Sequence, residues 1–274
     1  MTIINACQGK LNMTPADSYL PEQHLLNISY GKDTLQRMDA YLPAGRNAAQ
    51  TKSLVLIHGG GWTSGSKSDL TAYIDSLKKR LPDYAIFNIN YRLVNGGNLF
   101  PSQEMDVKSA VEHIKENAAE YAISADKMVL LGASAGGHLA MLHAYKYKEP
   151  SVRAVINFFG PADLVTMYRK PWHPMVPFAL QMITGTTPSV NAQLYHESSP
   201  VHYVSSTSAP TLIFHGSRDP VVDISQSRIL KKKLEAAGVH HELVVYPGQR
   251  HGWYGATLSN SFDRIEGFLR ATVK

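Results

Sequence analysis

Short apolar runs alternate with longer amphipathic stretches along most of this chain, the pattern of an α/β domain built on a mainly parallel sheet. The apolar runs predict strands at 24–30, 36–42, 53–58, 84–91, 127–131, 154–159, 211–215 and 241–246. The turn Gly31-Lys32-Asp33 separates the first two, which predicts an antiparallel hairpin at the start of the sheet. Helices are expected between them. The first spans 67–81, with Ser66 or Ser68 as its cap, and the second spans 103–122, with Val107, Ala110, Val111 and Ile114 on one face. Three more are expected at 135–147, at 226–237 before Gly238, and at 258–273. The sum is an eight-stranded, mostly parallel sheet flanked by helices over residues 24–274. A polar arm, 1–23, carries Pro15 and Pro21 and shows no period.

One interval is out of proportion. About fifty residues separate the strand ending at 159 from the one starting at 211, and seven of them, from Pro161 to Pro210, are prolines. A gap of that length is usually functional or a small subdomain. A cap insertion over about 161–205 is therefore expected. Most of its apolar residues should form its own small core. Trp172, Met175 and Phe178, together with Trp62, are the candidates to face a substrate.

Composition and charge add mainly exclusions. Net charge is +5, but the positives are scattered, and Lys231-Lys232-Lys233 reads as the solvated face of a helix. No nucleic-acid partner is expected. The single cysteine, Cys7, cannot form an internal disulfide and reads as a bystander. Residues 1–13 have neither the basic nor the continuous apolar region of a secretion signal, and no apolar run approaches the roughly 18 residues that span a bilayer. A soluble cytoplasmic protein is the expectation, so the sequons at Asn12 and Asn27 read as chance.

The chemistry centres on Gly132-Ala133-Ser134-Ala135-Gly136, which follows an apolar strand and opens a helix. This is the pattern of a nucleophile elbow, a strained strand-to-helix turn that pushes a serine hydroxyl out of the sheet. A serine is a poor nucleophile near neutrality, so a base, an orienting acid and donors for a developing oxyanion must accompany it. Asp219 lies just beyond the seventh strand. Asp223 competes with it but stands where an aspartate commonly caps a helix. Among twelve histidines, only His251 combines the loop after the last strand with a following glycine, Gly252. His240 and His241 precede that strand, while His138 and His143 fall within the elbow helix and read as packed. The run His58-Gly59-Gly60-Gly61-Trp62 follows the third strand, and its bare backbone can aim two N–H groups at an alkoxide, with the N–H of Ala135 as a third. His58 itself reads as a residue that holds this loop.

HGGGW at 58–62, Asn90-Tyr91-Arg92-Leu93, GASAGGHLA at 132–140, HGSRDPVV at 215–222 and His251-Gly252 together resemble the α/β-hydrolase carboxylesterases. The hormone-sensitive-lipase-like and the acetyl or feruloyl esterase-like branches are the nearest, and the resemblance covers about 25–272. Ala133 stands where the lipase-like branch usually has Asp, and Val94–Asn98 lacks the Ala-Pro-Glu common there, which favours the acetyl or feruloyl branch. Asp223 departs from that branch in turn, standing where a Pro is frequent. The resemblance implies a triad of Ser134, Asp219 and His251, oxyanion donors at Gly60, Gly61 and Ala135, and no metal or cofactor. It assigns Tyr91-Arg92 a structural role. The implied substrates are small esters with acyl groups from acetyl to butyryl, acetylated sugars or hydroxycinnamoyl esters, and a homodimer is compatible with the family. Two other readings stay open: an amidase, peptidase or arylformamidase-like hydrolase, and a non-catalytic binding protein on the same scaffold.

Overall fold

The computed structural model describes residues 19–274, so Cys7, Asn12 and residues 1–18 of the expected arm lie outside the described residues. Eight strands, β1 (Gln23–Ser29), β2 (Arg37–Leu42), β3 (Lys52–Ile57), β4 (Tyr84–Ile89), β5 (Met128–Ala133), β6 (Val152–Phe158), β7 (Thr211–Gly216) and β8 (His241–Tyr246), form one sheet. Its order is β1-β2-β4-β3-β5-β6-β7-β8. β1 and β2 form the expected hairpin, β2 is antiparallel to β4, and every later pairing is parallel.

The inner strands are apolar on both faces because helices cover both. Leu54 and Leu56 of β3 point to one core and Val55 and Ile57 to the other; Val129 and Leu131 of β5 repeat the alternation against Leu130. Burying each such side chain contributes roughly 1.5–3 kcal/mol. On one face lie α1 (Ser68–Thr71), α2 (Ile74–Arg80) and α10 (Gly255–Thr272), which contribute Leu70, Leu77, Phe262 and Phe268. The opposite core is built from α3 (Ser102–Glu116), α4 (Ala118–Tyr121), α5 (Ala135–Lys146) and α9 (Ser225–Ala236), and the insertion joins it.

Two expected helices are each divided in two. Within 67–81, a bond from Tyr73 N–H to the Leu70 carbonyl closes α1 before α2 begins, and the Ser66 hydroxyl accepts from Ser68 N–H at 3.3 Å at the start of α1. Within 103–122, the Asn117 side chain donates to the His113 carbonyl at 2.7 Å and so ends α3. The insertion contains α6 (Leu164–Arg169), α7 (Met175–Thr184), α8 (Ala192–Glu197) and a 3-10 turn, Pro200–His202. Asp163 opens α6, accepting from Thr166 N–H at 2.9 Å. Among the described residues, no helix is long and apolar enough to cross a membrane.

Topology locates the site. The chain leaves β3 for β4 on one side, then crosses back to β5 on the other. Loops leaving β3 and β5 therefore diverge and open a crevice beyond their carboxyl ends, where ligands bind in such sheets. Gly59–Trp62 follows β3 and Ser134 follows β5.

Candidate active site

Ser134 sits between β5 and α5 with φ 54° and ψ −120°. A non-glycine residue in the left-handed region is strained, and neighbouring structure must hold it there. Its N–H donates to the Phe158 carbonyl at 2.8 Å, and its carbonyl accepts from His138 N–H at 3.0 Å. The flanking glycines are needed for close approach. A Cβ on Gly132 would lie 2.2 Å from the Gly136 carbonyl carbon, and one on Gly136 would lie 2.1 Å from the Ile57 oxygen. Helix α5 thus begins pressed against β3 and β5, with the serine at its tip.

The structure brings Ser134, His251 and Asp219 into one line. Ser134 Oγ–H donates to His251 Nε2 at 2.9 Å, and His251 Nδ1–H donates to Asp219 Oδ2 at 2.7 Å. The carboxylate acceptor fixes the tautomer, leaving Nε2 free to take the serine proton. Asp219 Oδ1 is held in turn by the N–H groups of Val221 and Val222, at 2.8 and 3.0 Å. Burial alone would raise this carboxyl, but the His251 hydrogen bond and charge and the two backbone donors outweigh it and hold Asp219 below its ordinary value. Asp223 makes no such contact; it accepts from Ser225 N–H at 2.9 Å at the start of α9.

The glycine loop lies against the serine: a Cβ on Gly59 would fall 3.3 Å from Ser134 Cβ. Gly60 and Gly61 have φ values of 101° and 58°, and the carbonyl of Gly60 accepts from Thr63 and Ser64 N–H. Among the described residues, the N–H groups of Gly60, Gly61 and Ala135 have no hydrogen-bond acceptor. His58 and Tyr91 hold the loop. Their rings stack 4.2 Å apart, Tyr91 O–H donates to the carbonyls of His58 and Gly59, and His58 Nδ1–H donates to the Gly59 carbonyl at 2.8 Å. Burial keeps His58 neutral by lowering its pKa. His138 is fully buried, its pKa pushed down to about 4 by burial, and its Nε2–H donates to the Ser198 carbonyl at 2.7 Å, tying α5 to the insertion. His143 is buried in α5 as a packing residue.

Two further residues position the triad. Phe159, with φ 44°, sets its ring 4.4 Å from that of His251. His215 is completely buried on β7. Its Nδ1 accepts from Ser227 O–H at 2.7 Å, its Nε2–H donates to the Val222 carbonyl at 2.9 Å, and Nε2 lies 3.5 Å from Asp219 Oδ2. It braces the turn whose amides hold Asp219. The one hint of it in the chain is its place directly before Gly216 in HGSRD.

Two cavities meet at Ser134. The larger, about 430 Å³, runs from His251 and Phe159 over the sheet face between α2 and α10. The smaller, about 310 Å³, lies under the insertion against Trp62, Met167, Trp172, Val176, Leu180 and Ile183. Trp62 and Trp172 thus line the smaller cavity, and Trp172 Nε1–H also donates to the Pro220 carbonyl at 3.3 Å. Met175 and Phe178 require correction: both are more than half exposed and line neither cavity. The helical period of α7 turns Val176, Leu180 and Ile183 inward and leaves those two on the outer face.

Comparison with known proteins gives the family. Residues 38–234 match the family model described as BD-FAE. The chain is similar to Esterase LipC of Mycobacterium tuberculosis, with 26% identity over 89% of this chain and 61% of that protein. It is also similar to the probable carboxylic ester hydrolase LipM of the same organism, with 30% identity over 92% of this chain and 62% of that protein. The chain therefore spans about three fifths of these two relatives. Among solved structures, Thermogutta terrifontis esterase Est2 with butyrate bound superposes with a TM-score of 0.72 at 25% identity, covering 94% of this chain and 95% of that one. The match over most of its length places this chain in the BD-FAE family, within the α/β-hydrolase carboxylesterases.

Proposed function

We propose that this protein is a serine carboxylesterase acting on esters of short acyl groups, acetyl to butyryl, through Ser134, His251 and Asp219. The observation that carries the reading is the continuous hydrogen-bonded line from Ser134 Oγ through His251 to Asp219, at 2.9 and 2.7 Å. His251 Nε2 takes the serine proton as Oγ attacks the ester carbonyl carbon. The resulting oxyanion accepts from the N–H groups of Gly60, Gly61 and Ala135, and losing one such donor costs roughly 3–4 kcal/mol of transition-state stabilisation. Asp219 holds the imidazole in the required tautomer and stabilises the imidazolium. His251 then passes the proton to the departing alkoxide oxygen, and water repeats the sequence on the acyl-enzyme.

The bound butyrate in the similar Est2 structure supports the acyl range. The test is a p-nitrophenyl ester series from acetate to decanoate with methyl ferulate alongside, combined with fluorophosphonate labelling. Turnover that falls sharply beyond butyrate, with the label on Ser134, is expected. A labelled serine with no turnover on any ester, but with cleavage of an acyl anilide, replaces this reading with an amidase. An unlabelled Ser134 removes the enzymatic reading altogether.

A further inference from the structure

The two cavities that meet at Ser134 differ in one respect that decides which half of a substrate each receives. The histidine that takes the serine proton must return it to the leaving oxygen within hydrogen-bond reach. The leaving group therefore lies on the His251 side of the scissile carbonyl and the acyl group on the other. His251 lines only the larger cavity, together with Gly252 and Trp253 that follow it. The smaller cavity reaches Ser134, Gly61 and Trp62 but not His251.

We infer, resting on the esterase reading, that the larger cavity receives the alcohol half of the ester and selects bulky apolar alcohols. Leu70, Leu77, Phe158, Trp253, Leu258 and Phe262 line this cavity, above a floor of Leu56 and Leu131. Its polar side-chain groups are Asp69 and Tyr73 on the α1–α2 side, Tyr254, which is 82% exposed, and the reacting pair Ser134 and His251. A sugar leaving group would carry several hydroxyls into this space and lose their hydration with few partners in exchange. A fused aromatic or branched alkyl alcohol loses nothing comparable. The space is ample, since an apolar cavity of about 150 Å³ already holds benzene. The acyl half then turns towards Trp62, Trp172 and Ile183 under the insertion. In the step itself, the Ser134 Oγ–carbonyl carbon bond forms and the carbonyl carbon–alkoxy bond breaks. The proton held on His251 Nε2 moves to the alkoxy oxygen, releasing the alcohol into the larger cavity.

The test uses alkyl acetates whose leaving alcohols have similar acidity, so that intrinsic reactivity does not mask the pocket. In the unmodified protein, kcat/KM for 2-(2-naphthyl)ethyl acetate should exceed that for methyl 6-O-acetylglucoside at least about tenfold. Leu258→Trp, which fills the larger cavity, should lower kcat/KM for the naphthyl ester by about tenfold or more. Methyl acetate, which leaves the cavity nearly empty, should lose about tenfold less than the naphthyl ester. Val176→Trp should instead penalise ethyl butyrate against ethyl acetate and leave the naphthyl ester little changed. If Leu258→Trp discriminates by acyl length, or the acetylated sugar is the better substrate, the assignment is overturned. If Leu258→Trp also loses methyl acetate turnover, the comparison of the two esters on the unmodified protein decides. Absence of turnover on every ester overturns the esterase reading itself.

Discussion

Replacing Asp219 by Asn removes one charge and keeps the shape, so the hydrogen bonds around the carboxylate determine the outcome. Asp219 Oδ1 accepts from the N–H groups of Val221 and Val222, and Oδ2 accepts from His251 Nδ1–H. The two backbone donors will hold the amide oxygen of the asparagine, which turns its NH2 group towards His251. Two donors cannot face each other at 2.7 Å, so the imidazole must shift its proton to Nε2. In that tautomer, Nε2–H points at Ser134 Oγ and cannot accept its proton. The wrong tautomer costs about 10⁴-fold in kcat, or about 5 kcal/mol of barrier. KM should change little, because Asp219 lies behind His251 and touches no substrate atom. The assay is steady-state hydrolysis of p-nitrophenyl acetate by Asp219→Asn and the unmodified protein, with circular dichroism to verify that both are folded. A folded variant within tenfold of the unmodified kcat would refute the argument.

Other substitutions test the remaining geometry. A Cβ on Gly216 would lie 2.2 Å from the Arg250 oxygen and 2.4 Å from that of Gln249. Gly216→Ala should therefore push the loop bearing His251 outward and lower kcat about 10²-fold, since a misplacement of about 1 Å has that effect; unchanged kcat would mean that loop does not position the base. Asp223→Asn should keep turnover within about twofold, because Asp223 serves only the start of α9, and the expected stability cost is at most about 1 kcal/mol; a large loss of turnover would exchange the roles of the two aspartates. Asp219 also makes stability depend on pH. Its folded pKa lies below the ordinary 3.8, so its contribution is complete above 3.8 and is lost as pH falls through the lower folded value. The Tm difference between the unmodified protein and Asp219→Asn should narrow only below about pH 3.8, and narrowing already between pH 6 and 5 would contradict the pairing.

Much of the site is legible in the sequence because its chemistry is local to strand ends. Ser134, Asp219 and His251 each follow an apolar run by a few residues, and parallel strands bring those ends to one edge. Gly59, Gly60, Gly132 and Gly136 mark places where backbone must approach backbone. Helix interruptions are less legible, because the bond of Asn117 to His113 competes with a continuous apolar period that runs past it. Met175 and Phe178 show a different limit. Both are apolar residues near prolines in a segment whose helical register is set by docking on α6, so composition alone does not say which face is inward. Phe159 acts on His251, which is distant in sequence, and the larger cavity arises where residues 70–77 meet 258–262. No local pattern encodes that meeting.

The central claim is that Ser134 is the nucleophile activated by His251, and the most direct test is the kcat of Ser134→Ala on p-nitrophenyl acetate. Loss of the nucleophile should lower kcat by about 10⁶-fold, leaving only the residual catalysis of binding and oxyanion donors, with an unchanged circular dichroism spectrum. A folded Ser134→Ala variant that turns over at a rate close to that of the unmodified protein would contradict the account.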